Sequence, residues 1–215
     1  MDMSALQLQR FEPLFHSPLL VFQLPDAAAL NRRLLAEAAA MRAASPGLER
    51  SNQNGWHSGD DFFERSEPGC VELRGHMLEA VRQATLRVAP KYDFSAMGMQ
   101  AEGWINVNQQ GGYNTPHDHP GWVWSGCYYV RVPVIAPGDG SERSGAIEFL
   151  DMRTNVGVLP IEGATCFMSK FTLRPGDGML VLFPSYLRHW VYPNGQSEER
   201  VSIAFNARFA PVQRH

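Results

Sequence analysis

Two different spacings of apolar residues divide the chain near residue 100. Asp26 precedes an Ala- and Leu-rich stretch that runs to about Ala44 and stops at Ser45-Pro46-Gly47, which predicts a helix capped by Asp26. Leu73, Met77, Val81, Ala84 and Val88 recur every three or four residues and predict the buried stripe of a second helix, from about Val71 to Val88, ended by Pro90. Leu14 to Leu24, short and largely apolar between Pro13 and Pro25, reads as an extended segment. Between the helices, Ser51 to Gly69 is polar and long for a connection, which fits a functional loop or disorder. Trp56 and the Phe62-Phe63 pair favour a loop that packs against something.

From Ala101 onward the runs become short and β-rich: Trp104 to Val107, Val123 to Val134, Ala146 to Leu150, Cys166 to Leu173, Met179 to Phe183 and Val201 to Phe209. Turn clusters separate them at Pro137-Gly138-Asp139-Gly140, at Arg174-Pro175-Gly176-Asp177-Gly178 and at Pro193-Asn194-Gly195. Many short strands with Gly/Pro turns and no intervening helical period predict a sandwich or barrel, not a βαβ sheet. An antiparallel jelly roll is the economical choice. The expected organisation is mainly β with N-terminal helices: one domain over 1–215, its mostly helical part (1–100) packing on a β core (101–210).

Composition removes several function classes. A chain of 215 residues suits one domain with a full core. Its 19 basic and 22 acidic side chains give a formal charge of −3, and a mildly acidic chain with no basic run is a poor candidate for a nucleic-acid binder. No stretch approaches the roughly 18 apolar residues of a membrane span, and Met1 to Arg10 lacks the basic-then-apolar order of a signal peptide. Cys70, Cys127 and Cys166 form neither a CxxC site nor a disulfide framework. The expectation is a soluble, cytoplasmic protein with no nucleic-acid or membrane partner; a dimer is compatible with the sequence.

Two of the seven histidines stand almost side by side, in Thr115-Pro116-His117-Asp118-His119-Pro120. In extended chain, residues two apart share a face, so His117 and His119 could chelate one ion while Asp118 faces away. Imidazole nitrogen suits Fe, Zn, Ni or Cu better than Mg or Ca. His189 follows the apolar run Met179 to Phe183 and the turn Pro184-Ser185, where a sandwich could bring it against the His117 strand. His16, His57, His76 and the terminal His215 have no such framing. Arg200 and Ser202 share one strand face, opposite Val201, Ile203 and Phe205. A guanidinium inside a sheet pair needs an anion, either a protein carboxylate such as Glu148 or Asp151 or a bound planar carboxylate.

Taken together, His117-x-His119, His189 and Arg200-x-Ser202 resemble the 2-oxoglutarate and Fe(II)-dependent oxygenases. The closer resemblance is to a bacterial and phage group of that superfamily. It rests on His119-Pro120, Ser125-Gly126-x-Tyr128-Tyr129-Val130, Leu182-Phe183-Pro184-Ser185, Pro193-Asn194 and Arg200 to Asn206, and it covers about Trp104 to Asn206. The resemblance implies a double-stranded β-helix core and Fe(II) held by His117, His119 and His189. It implies 2-oxoglutarate gripped by Arg200 and Ser202, with Asn106 and Tyr128 lining its pocket. A sheet-edge amide and a core aromatic are the ordinary alternatives for those last two. The reaction implied is oxidative decarboxylation of 2-oxoglutarate to succinate and CO2, coupled through O2 to oxidation of a small-molecule or peptide substrate.

One departure from the superfamily pattern bears on the chemistry. A carboxylate usually stands where this chain has His119, so either three histidines form the site or Asp118 turns inward; strand geometry favours three histidines. Fe(II) with a carboxylate ligand and a dianionic oxoacid sums to −1, whereas three neutral imidazoles give zero. Other readings are a three-histidine or cupin-like dioxygenase that needs no oxoacid, and a non-catalytic jelly roll that binds metal. Arg200-x-Ser202 speaks against the first. Against the second, structural ions normally have closed shells and often Cys ligands.

Overall fold

The computed structural model describes residues 7–12, 14–135, 138, 142–153, 159 and 161–211. His215 and most of the Pro137–Gly140 turn lie outside them. Nine strands form one curled antiparallel sheet: β1 (Leu20–Gln23), β2 (Asn52–His57), β3 (Met97–His117), β4 (Trp124–Arg131), β5 (Ile147–Leu150), β6 (Lys170–Leu173), β7 (Met179–Pro184), β8 (His189–Val191) and β9 (Arg200–Pro211). The order is β1-β7-β4-β9-β3-β8-β5-β6, with β2 paired to β3. The 21-residue β3 is the hinge of this arrangement. Residues 97–108 pair with β9, whereas Asn114 and His117 pair with β8. One strand thus passes from the larger face of the sandwich to the smaller, as a jelly roll requires.

Period-two alternation then assigns opposite duties to the two faces of the larger sheet. Outward, Ile105, Val107, Tyr128, Val130, Leu180, Leu182, Val201, Ile203 and Phe205 form one hydrophobic cluster with the helices α1 (Ala28–Ala44) and α2 (Pro68–Val88). The helices contribute Leu30, Leu34 and Met41, and Leu73, Met77 and Val81. Inward, several of the intervening residues are polar yet buried, among them Asn106, Asn108, Ser125, Arg200, Ser202 and Asn206. No helix among the described residues is long and apolar enough to cross a membrane.

Several local expectations change. Ala27, not Asp26, is the N-cap of α1, with no side-chain cap; Asp26 has φ 52°, which places it in the turn before the helix. The second helix starts at Pro68, whose missing N–H and fixed φ suit a first turn. Val88 is 50% exposed and leaves the stripe at the frayed end. The stretch expected as a loop contains β2, in register with β3 at Trp56–Val107 and His57–Asn106. Its polar composition is that of an edge strand, with Trp56 as its anchor in the core. Within Cys166 to Leu173 only Lys170–Leu173 is strand, after a 3-10 turn at Thr165–Phe167.

Tyr128 belongs to the outward face. Its hydroxyl donates to Oδ1 of Asn31 on α1 at 2.7 Å, in a seam where both side chains are buried. Tyr128→Phe leaves that acceptor without its donor, so we expect a loss of about 1–3 kcal/mol of stability. Urea denaturation should show the loss; a variant as stable as the wild type would mean that this hydrogen bond does not secure α1 to the sheet.

Candidate metal centre and anion pocket

His117 ends β3 directly opposite His189, the first residue of β8, so the sheet register itself brings two imidazoles together. His119 lies just beyond the strand, where its backbone N–H donates to the Ser185 carbonyl at 3.0 Å. Ring centroids are 4.4 Å apart for His117 and His189, 5.0 Å for His117 and His119, and 5.3 Å for His119 and His189. One ligand atom from each of the three falls within 4.8 Å of the others. Nδ1 of His117 faces the Thr115 carbonyl at 2.6 Å, and Nδ1 of His189 faces that of Leu187 at 2.9 Å. A carbonyl can only accept, so these contacts fix the proton on Nδ1 and present Nε2 to the shared space. Asn206 supports His119: its Nδ2 lies 3.4 Å from the His119 ring, and its amide is braced by Ser125 and Glu102. Asp118 is exposed and stands outside the cluster.

Burial dominates the electrostatics. It holds His117 below the ordinary histidine value, brings His119 to about 4 and His189 to about 3, with mutual repulsion adding to the last two. All three rings are therefore neutral at neutral pH, the state in which imidazole ligates a metal.

The second feature is Arg200, only 1% exposed. Its Nη1 donates to Asn108 Oδ1 at 3.3 Å and Ser202 Oγ at 3.1 Å, its Nε to the Gly145 carbonyl at 3.2 Å, and its guanidinium lies over the Tyr129 ring at 5.1 Å. Neither carboxylate suggested by the sequence reaches it. Glu148 is engaged by Thr172, Trp190, Tyr192 and Lys170, and Asp151 by Arg153. Among the described residues Arg200 has no ion pair. Around it lie the buried polar atoms that lack a hydrogen-bond partner: Asn106 Oδ1, Asn108 Nδ2 and the Tyr129 hydroxyl. A buried cation beside unpaired polar groups is costly to a folded chain, and an anion lying against it would offset that cost.

The structure brings His117, His119 and His189 together and places Arg200, Ser202 and Asn106 on the inner face, with Tyr128 on the outer one. Tyr129, one residue on, is the aromatic beside Arg200. Asn108 went unnoticed in the sequence although it lies two residues after Asn106 on the same face. His57 was also unmarked. It is buried, stacked on Trp104 with centroids 5.4 Å apart, and Trp104 in turn packs beside His119 at 5.8 Å. Only the pairing of β2 with β3, invisible in a polar segment, carries His57 there.

Residues 102–206 match the family model described as "Putative 2OG-Fe(II) oxygenase". No curated protein matches the chain. Among solved structures, the prolyl-4-hydroxylase of Pseudomonas putida aligns with a TM-score of 0.60 at 18% identity, over 88% of this chain and 91% of that one. The epimerase SnoN from nogalamycin biosynthesis, in complex with Fe3+, alpha ketoglutarate and nogalamycin RO, gives 0.60 at 14% identity over 89% and 78%. HygX from Streptomyces hygroscopicus, with nickel, 2-oxoglutarate and hygromycin B bound, gives 0.57 at 11% identity over 92% and 84%. The shared fold is the double-stranded β-helix.

The neutral cluster makes stability depend on pH. In the unfolded chain these histidines titrate near 6.5, whereas in the metal-free fold burial keeps them lower, His119 at about 4 and His189 at about 3. As pH falls below 6.5 the unfolded chain takes up protons that the folded site refuses. Stability is thus fully present above that pH and declines toward pH 4, by about 1.4 kcal/mol per pH unit per histidine. Urea midpoints of the metal-free protein at pH 7.5 and 5.0 should show the decline, with a smaller slope in His189→Asn.

Proposed function

We propose that this chain, whose residues 102–206 carry a 2OG-Fe(II) oxygenase domain, couples oxidative decarboxylation of 2-oxoglutarate to oxidation of a peptide or small-molecule substrate. The observation that carries the reading is Arg200, a fully buried guanidinium with no carboxylate against it among the described residues. The far carboxylate of 2-oxoglutarate supplies the missing anion and accepts from its free N–H groups. The Tyr129 hydroxyl and Asn108 Nδ2, both unpartnered, are additional donors for it.

His117, His119 and His189 hold the metal through one nitrogen each, and their neutral state means that no proton must leave before it binds. A metal held by these three imidazoles would keep room for further ligands, as a reaction of 2-oxoglutarate with O2 requires. When bound, Fe(II) supplies the one-electron chemistry that activates O2. The protein's part is geometric. Thr115 and Leu187 aim two imidazoles, Asn206 steadies the third, and Arg200 fixes the oxoacid's distal end. With a dianionic oxoacid the Fe(II) site carries no net charge, so Arg200 leaves the whole assembly at +1. Peptide and small-molecule substrates both fit this reading, as the fold is shared with a prolyl-4-hydroxylase and with two proteins solved with nogalamycin RO or hygromycin B. The three free cysteines agree with a cytoplasmic setting.

Anaerobic protein with Fe(II) and 2-oxoglutarate should develop the visible metal-to-ligand charge-transfer band, and admitted O2 should yield succinate. Arg200→Ala should weaken oxoacid binding by about 2–5 kcal/mol, at least about thirtyfold, with metal content unchanged. His189→Ala should lose the metal. Tight iron binding with no effect of the oxoacid would instead favour a three-histidine dioxygenase that works without it.

A further inference from the structure

Three strands cross the inner face side by side, so their register sorts it into rows. The row Asn106, Ser202, Tyr129 is fully buried. The next row is Trp104, Ala204, Cys127, and all three residues are part-exposed although each sits in mid-strand. On β4 the neighbours of Cys127 along this face, Ser125 and Tyr129, are 1% and 0% exposed. The part exposure of this row implies space above it, and Cys127 faces that space as the floor of the implied cavity. Arg200 and Tyr129 stand at one end of it, and Trp104 leads to His119 at the other. The unpartnered Tyr129 hydroxyl marks the Cys127 end as a place where a ligand is expected.

We propose that Cys127 is a modification site in the floor of this cavity, open to small electrophiles that bear a carboxylate, which Arg200 draws in. Charge and shape act together. The carboxylate docks on the unpaired guanidinium, and the electrophilic carbon is left over the thiol. With a 2-halo acid the sulfur's electron pair forms the C–S bond as the carbon–halogen bond breaks. Halide leaves with the bonding pair and the thiol proton goes to water. With an α,β-unsaturated acid the sulfur adds at the β carbon and the α carbon takes a proton. Burial pushes the Cys127 thiol up and Arg200 partly offsets this, so its reaction with uncharged reagents is slow. The adduct fills the floor and excludes 2-oxoglutarate, a consequence that rests on the function proposed above.

Iodoacetate and iodoacetamide are nearly isosteric and differ in charge, which makes them the probes. The full chain is treated with each, and labelling is followed at each cysteine by peptide mass spectrometry. Cys166 is exposed and its neighbour Arg153 is already paired with Asp151, so it gives the reference ratio of the two rates. Cys70 is fully buried, with its thiol pushed up to about 12, and is labelled only if the protein unfolds. We expect the iodoacetate-to-iodoacetamide ratio at Cys127 to exceed that at Cys166 by about tenfold or more. Arg200→Ala should return it to the Cys166 value. Should that variant unfold, acetate added to the wild type gives the same information, slowing carboxymethylation of Cys127 and sparing its reaction with iodoacetamide. Equal ratios at the two cysteines, or no label on Cys127 in the folded protein, overturn the proposal. In a parallel arm with Mn(II), 2-oxoglutarate should protect Cys127. A high ratio without protection upholds the thiol site and counts against the oxoacid reading.

Discussion

A buried guanidinium that meets no carboxylate among the described residues is the constraint around which the inner half of this fold is arranged. Removing a cation from water costs several kcal/mol unless charge and hydrogen bonds compensate. The protein supplies the hydrogen bonds in part, from Asn108, Ser202 and the Gly145 carbonyl, and the face of Tyr129. It supplies no negative charge to Arg200 from the described residues. Even the backbone makes room: Gly145 has φ 62°, and a Cβ there would stand 2.9 Å from Arg200 Cδ. A side chain at 145 would be strained and would press on the guanidinium. The free energy withheld from folding is available when an anion binds.

The histidine cluster obeys the complementary rule. Where Arg200 is a charge kept without a partner, His117, His119 and His189 are potential charges kept neutral by burial. A carboxylate at position 119 would bring a permanent negative charge to the metal and pull these pKa values upward. With imidazole there, the protein contributes no charge to the metal, and the dianionic oxoacid alone balances Fe(II). In the function proposed above, attraction of the oxoacid would fall to the metal and to Arg200. That division of labour would let His119 stand where the family this chain resembles has a carboxylate while Arg200 and Ser202 keep their places.

Legibility in the sequence followed from how far apart the interacting residues lie. The late strands were readable because their alternation is local: Val201, Ile203 and Phe205 against Arg200 and Ser202 fix both faces of β9. The histidine grouping was readable because His117-x-His119 is local and His189 follows a strong apolar strand. Choosing between Tyr128 and Tyr129 was not, since two adjacent tyrosines satisfy either phase and only pairing with β9, Tyr128 to Ile203 and Tyr129 to Ser202, decides it. β2 was hidden for the same reason. Asn52–His57 has the composition of a loop, and it becomes a strand only because β3 offers an open edge. Asp26 failed as a cap because Leu24 is tied by its N–H to the Gly178 carbonyl, and the chain reaches α1 through a left-handed residue.

Phase also explains why Arg200 and the histidine cluster lie on the same side of the fold. Along β3 the inward residues are Glu102, Trp104, Asn106 and Asn108, all even-numbered, yet the residue that joins the histidine cluster is His117, which is odd. A strict period of two would turn His117 outward and leave Pro116 in its place. The change of phase lies between Asn108 and His117. There Gly111 adopts φ 78°, β2 shifts register between Gln53 and Gly55, and the pairing with β8 shifts between Asn114 and His117. The Gln109 to Asn114 stretch is thus more than a connector. It is the irregularity that lets one strand serve both faces of the sandwich, presenting Asn108 to Arg200 and, from its last residue, an imidazole to the histidine cluster. A regular strand of the same length could do one or the other.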